Sequence, residues 1–195
     1  MLSTNRIAFK EWASVVEALA SGRQILILRK GGIHEAGKKF RPAHSEFFLF
    51  PTFEHQNPKD LKPEGEEILK QVLARRPKPE ILPIQHYGVV EESFWISEEE
   101  TLHRLNPFHI WSPECVKARF ECGEEKGLFG ILVRTDSFPQ KLNLENLKRY
   151  GGCRSWVELE RPLETAALRP VFSDSSFQEK KREIEALLGT LGIKR

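Results

Sequence analysis

Gln24-Ile25-Leu26-Ile27-Leu28-Arg29 is apolar on both faces and is broken by Lys30-Gly31-Gly32. A short run of this kind reads as a strand buried on both sides. Glu46-Phe47-Phe48-Leu49-Phe50, halted by Pro51, reads as a second strand. The polar, basic residues 33–45 join the two. A strand, a long connection and a strand allow antiparallel pairing, with the connection as a lid.

Upstream, Ala8, Trp12, Val15, Val16 and Leu19 recur at helical spacing, which predicts a helix over 6–21 capped by Gly22. Downstream, Pro63 opens a second predicted helix to Arg76, with Glu64, Glu66 and Glu67 in its first turn and Ile68, Leu69, Val72 and Leu73 as its stripe. Pro77-Lys78-Pro79 marks the clearest internal boundary. Residues 81–96 read as one or two strands bending at Gly88. Ser97 and Glu100 match a capping box before a short helix to Leu105, and Ser112-Pro113-Glu114 opens another to about Glu121. Gly127–Val133 and Arg154–Leu159 read as strands, and Asn143–Tyr150 as one or two helical turns. A last helix starts near Ser175 or Ser176, with Phe177, Ile184, Leu187, Leu188 and Leu191 along one side.

This order gives an α+β chain with a mixed or mainly antiparallel sheet, flanking helices and two sub-halves, since the regular strand–helix alternation of a doubly wound sheet is missing. The halves are expected at 1–78 and 79–172, followed by the helical segment 173–195.

At 195 residues with 39% hydrophobic side chains, the chain can bury a real core. No apolar stretch approaches the ~20 residues that span a bilayer, and the start lacks the pattern of a signal peptide. Three cysteines without paired spacing suit a reducing compartment, so a cytoplasmic location with no membrane association is expected.

The formal net charge is only +2, but Arg23–His44 carries Arg23, Arg29, Lys30, Lys38, Lys39 and Arg41 against Glu35 alone. Free backbone N–H groups at a glycine pair, beside cations, suit phosphates and carboxylates. The candidate anion site is therefore Arg29, Lys30, Gly31, Gly32, Lys38, Lys39 and Arg41, and the expected partner is nucleic acid or another phosphate-bearing ligand. The spacing matches neither a P-loop nor a dinucleotide fingerprint. A second reading of the same region is a metal site built from His34, His44, Glu54 and His55, which with Glu17 would serve a hydrolase or nuclease. Cys153, between Gly151-Gly152 and Arg154, is a candidate reactive thiol. Phe40, Trp95, Trp111, Tyr150 and Trp156 supply aromatic types for stacking on bases. A third reading makes the chain an interaction or regulatory protein whose last helix docks a partner.

Several separated motifs agree in one resemblance. Lys10-Glu11-Trp12-Ala13, the run Gln24–Ile33, Phe48–Gln56, Trp111–Glu114 with Arg119-Phe120, and Tyr150–Trp156 resemble a bacterial family, domain-of-unknown-function family 1802, over residues 8–160. The resemblance carries no activity, cofactor or catalytic residue with it.

Overall fold

The structure, a computed structural model, describes residues 1–30 and 42–190. The chain begins as a strand, β1 (Thr4–Trp12), and only then turns into a helix, α1 (Ala13–Ala20). The single helix expected over 6–21 is thus divided. Ala8 and Trp12 are helix-spaced with Val15, Val16 and Leu19, yet Ala8 and Phe9 are both fully buried, on opposite faces of a strand paired on both sides. Burial on two faces erases the alternation that normally identifies a strand, so spacing alone misleads here.

Next come β2 (Leu26–Arg29), β3 (Glu46–Thr52), α2 (Pro63–Ala74) and the long β4 (Ile81–Ile96). They are followed by α3 (Glu99–Leu105), α4 (Pro113–Glu121), β5 (Leu128–Glu145), β6 (Trp156–Glu164), the two-residue β7 (Arg169–Pro170) and α5 (Asp174–Thr190). The fold is α+β, and its sheet is mixed and mostly antiparallel, in the order β2-β5-β4-β3-β1-β6, with β7 beside β5. The one parallel pair among the described residues is β1 with β3.

Two local expectations change. β2 and β3 do not pair: β2 lies against β5, while β3 sits between β1 and β4. Asn143 to Glu145 are still strand, and only Lys148–Tyr150 form a 3-10 turn. Long-range pairing decides both, and it leaves no local signature. The chain in β4 bends by bulges at Ile84/His86 and Val90/Glu92, on either side of Gly88, where a Cβ would lie 2.8 Å from Phe47 and Val133.

The sheet has a core on each face. Phe9, Phe47 and Leu49 join the apolar sides of α1, α2, α4 and α5 in one core, while Ala8, Phe48 and Phe50 join Tyr87, Phe138, Tyr150 and Leu159 in the other. Strict alternation along β1 and β3 sends neighbours to opposite cores. Each large apolar side chain buried this way contributes roughly 1.5–3 kcal/mol. α5 places Phe177, Ile184 and Leu188 in the first core, so the buried part of its stripe is used within the chain. The Arg134 guanidinium lies over the Phe177 ring and pairs with Asp174 at the start of that helix.

Gly127 opens β5 at φ +144°, with the Trp95 ring where a side chain would go. A Cβ there would fall 2.2 Å from Trp95 Cζ2 and 2.8 Å from the Ile96 carbonyl oxygen. Gly127→Ala is expected to lower stability by about 2–4 kcal/mol. A urea unfolding curve checks this through a lower midpoint at unchanged slope.

Candidate functional site

Parallel pairing brings the ends of β1 and β3 together, with Glu11 opposite Pro51 and Trp12 opposite Thr52. The turn after β3 is tied to the start of α1 by Gln56, whose Oε1 accepts from the Ser14 N–H and hydroxyl while its Nε2 donates to the Thr52 carbonyl. His55 in this turn has φ +62°. Facing these strand ends is the loop Gly151–Ser155 that leads into β6. Between them opens a cleft of about 530 Å³, whose lining includes Lys10, Arg29, Glu54, His55, Cys153 and Arg154.

Arg29 organises the floor. From the end of β2 it crosses the width of the sheet: Nη2 donates to Ser155 Oγ at 2.8 Å, Nη1 lies 3.4 Å from Glu11 Oε2, and the guanidinium covers the Phe9 ring at 5.0 Å. β5, β4 and β3 intervene between β2 and β1 in the sheet, so the sheet is rolled for this contact to exist. Glu11 is only 2% exposed, and its other oxygen accepts from the Trp12 N–H.

Lys10 reaches from β1 to the opposite loop and donates to the carbonyls of Tyr150 (2.8 Å) and Gly152 (2.9 Å). Burial, and after it the nearby Arg154 charge, hold its ammonium below the usual lysine range. An anion bound beside the two cations would favour the charged lysine.

Of the residues singled out from the sequence, Arg29, Glu54, His55 and Cys153 line this cleft. Lys30 does not join them. Its ammonium donates to the carbonyls of Phe120 (3.0 Å) and Gly127 (2.9 Å), and also to that of Glu125, between α4 and β5. His44 packs edge-on against Trp156, and Glu54 pairs with Arg76 at 3.0 Å. Gly31, Gly32, His34, Lys38, Lys39 and Arg41 lie outside the described residues. Among the described residues, no three of His, Cys, Asp and Glu gather as a metal site would require.

Sequence reading alone does not single out Lys10, Glu11, Arg154 or Ser155 as site residues. The available hint is that they fall inside short motifs, Lys10-Glu11-Trp12 and Gly151–Trp156, far apart in the chain.

The cleft continues. A second cavity shares Lys10, Thr52, Glu54 and Gly151 with it and adds Arg76 and Lys78. A third shares Pro51, Phe53, Pro77, Ile81 and Pro83 with the second and adds Arg75, His86 and Lys141. Shared lining residues thus link the three cavities in series.

Residues 8–183 match the model of the family described as Domain of unknown function (DUF1802). The chain belongs to that family. No curated protein matches the chain. Among solved structures, it is similar to ASCH from Zymomonas mobilis, at 12% identity and a TM-score of 0.45, over 90% of this chain and 93% of that one. Two mutant forms of that protein give 12% and 14% identity with TM-scores of 0.46, over 91% and 94% of this chain and 96% and 99% of theirs.

Two outcomes follow from these contacts. Arg29→Met strips a buried carboxylate of its partner and is expected to cost about 2–4 kcal/mol, and adding Glu11→Gln restores much of it. Chemical denaturation of the two single variants and the double variant reads this coupling. The second outcome concerns His86, whose Nδ1 sits 2.7 Å from Ser137 Oγ and whose pKa is pushed down to about 4, by burial first and the Lys141 charge second. The unfolded chain binds a proton there from about pH 6.5 downward and the folded chain does not. Its contribution to stability is therefore complete above that pH and is lost on acidification from 6.5 towards 4, by about 2–3 kcal/mol. Melting curves of the parent and of His86→Gln across this window should converge as the pH falls.

Proposed function

We propose that this chain binds nucleic acid, or another phosphate-bearing chain, along the groove that begins at Arg29 and Arg154 and runs past Arg76 and Lys78 towards Lys141. The observation that carries the reading is the imbalance of charge along it. Arg29, Lys10 and Arg154 meet Glu11 and Glu54 in the cleft, and Arg76, Lys78, Arg75 and Lys141 follow with Glu17 as the further acid. Cations spaced along a groove suit a backbone of phosphates better than a single small anion. Trp12 lines the cleft with the Arg119 guanidinium held 4.7 Å from its ring, which offers a flat edge beside the phosphate path. Lys38, Lys39 and Arg41 enter this proposal through their charge and their place in the chain between Lys30 and β3.

No helix among the described residues is long and apolar enough to cross a membrane. Cys115, Cys122 and Cys153 are all free thiols, which supports a reducing, cytoplasmic setting.

The test is fluorescence anisotropy with a labelled single-stranded oligonucleotide at several salt concentrations. Affinity is expected to fall with a log–log slope of about −0.7 for each phosphate contact, giving about −2 to −3 for three or four contacts. Arg154→Glu combined with Lys78→Glu, both at exposed positions, should weaken binding by about tenfold or more and make the slope shallower. Affinity that ignores salt, or is equal in parent and variant, contradicts the reading.

A further inference from the structure

Away from the groove, a pocket of about 270 Å³ opens between α3 and α4. Leu102, Pro113 and Val116 form apolar walls, and Asn106, His109, His103 and Glu114 are its polar lining below the rim pair. At the rim, Lys117 of α4 pairs with Glu99 of α3 at 2.7 Å, so these two charges answer each other.

The main chain beneath is fixed from behind. The Lys62 ammonium donates to the carbonyls of both Asn106 and His109. The Ile110 N–H donates to Gln24 Oε1, and the Ser112 N–H to the Asp60 carbonyl. Gly65 packs so closely that a Cβ on it would lie 2.9 Å from the Ile110 carbonyl oxygen. A segment held this firmly has little freedom to turn its side chains elsewhere.

Its side-chain polar atoms are nevertheless unanswered. His109 is 3% exposed, and neither ring nitrogen makes a hydrogen bond among the described residues. Asn106 Oδ1 is buried in the same condition. Buried polar atoms are almost always paired, so a rigid frame that leaves three unpaired beside a cavity points to something that completes them.

The chemistry of the pocket narrows that something. Burial, with the Lys62 charge after it, holds the His109 imidazole down to about 3, while the Trp111 main chain favours the protonated ring slightly without meeting hydrogen-bond geometry. The neutral ring offers one N–H donor and one acceptor nitrogen, and Asn106 Oδ1 offers a further acceptor. Apolar walls, a few fixed polar atoms and the Glu114 carboxylate, which has no ion pair among the described residues, suit a molecule without negative charge that carries donors and acceptors together.

We propose that the α3–α4 pocket binds an uncharged nitrogen heterocycle of nucleobase size, which donates an N–H to Asn106 Oδ1 and hydrogen-bonds the His109 ring. This site does not depend on the groove, because such a ligand needs no phosphate. In the test, adenosine, guanosine, cytidine and uridine are titrated separately into the full chain and followed by two-dimensional NMR. At least one nucleoside is expected to shift the Leu102 and Val116 methyl signals saturably, with an affinity that does not change with salt. His109→Phe and Asn106→Leu should each weaken that binding tenfold or more while keeping or raising the melting temperature, since each removes an unanswered polar group. Asn106→Leu carries the test alone if the larger ring at 109 prevents folding. Absence of any saturable shift, as expected if only water fills the pocket, overturns the proposal. So does binding that both variants retain. Oligonucleotide binding at the groove, with its salt dependence, is unaffected by either of these results.

Discussion

From the end of β2 the Arg29 guanidinium spans the rolled sheet to the carboxylate of Glu11, the hydroxyl of Ser155 and the face of Phe9. That one cation ties together three separate parts of the chain: its own strand β2, β1, and the loop before β6. Glu11, almost wholly buried, has Arg29 as its charge partner at 3.4 Å, and the loop before β6 is held where it can face β1. Without this contact a desolvated carboxylate would remain in the floor of the cleft, a costly arrangement in a low-dielectric setting. The cleft exists because the sheet rolls far enough to let Arg29 arrive.

The second requirement is the parallel pairing of β1 with β3. Two strands that run the same way end at the same place, so Trp12 and Thr52 finish side by side and the turns after them share one rim. Lys10 then crosses to the carbonyls of Tyr150 and Gly152 and fixes the other rim. Carbonyl partners leave the ammonium's charge unneutralised, and Arg154 adds to it. The positive character of the groove is thus built from the same bonds that hold its walls.

Much of the fold was legible from local pattern. β2, β3, α2, α4 and α5 fall near where their apolar runs and end residues put them, and Ser112 does cap α4, accepting from the Cys115 N–H. β1 was hidden because its buried residues are also spaced as a helix would space them, and tertiary burial won. Strand partners were hidden because a sheet in the order β2-β5-β4-β3-β1-β6 joins segments far apart in sequence. The site was half legible for the same reason. Arg29, Glu54, His55 and Cys153 stood out by residue type, while Lys10, Glu11 and Arg154 acquire their meaning only when β1 and the loop before β6 meet. Lys30 is adjacent to Arg29 in sequence, yet consecutive residues along extended chain point to opposite sides, and its ammonium serves the turn after α4 instead.

If a phosphate chain lies along these cations as proposed, its position can be measured directly. The most direct measurement is photochemical cross-linking of a single-stranded oligonucleotide to the full chain, with the modified peptides identified by mass spectrometry. The account predicts cross-links concentrated in residues 10–12, 52–55 and 151–155, with further ones near Lys78. Cross-links confined to the exposed side of α5, or spread evenly over the surface, would contradict it.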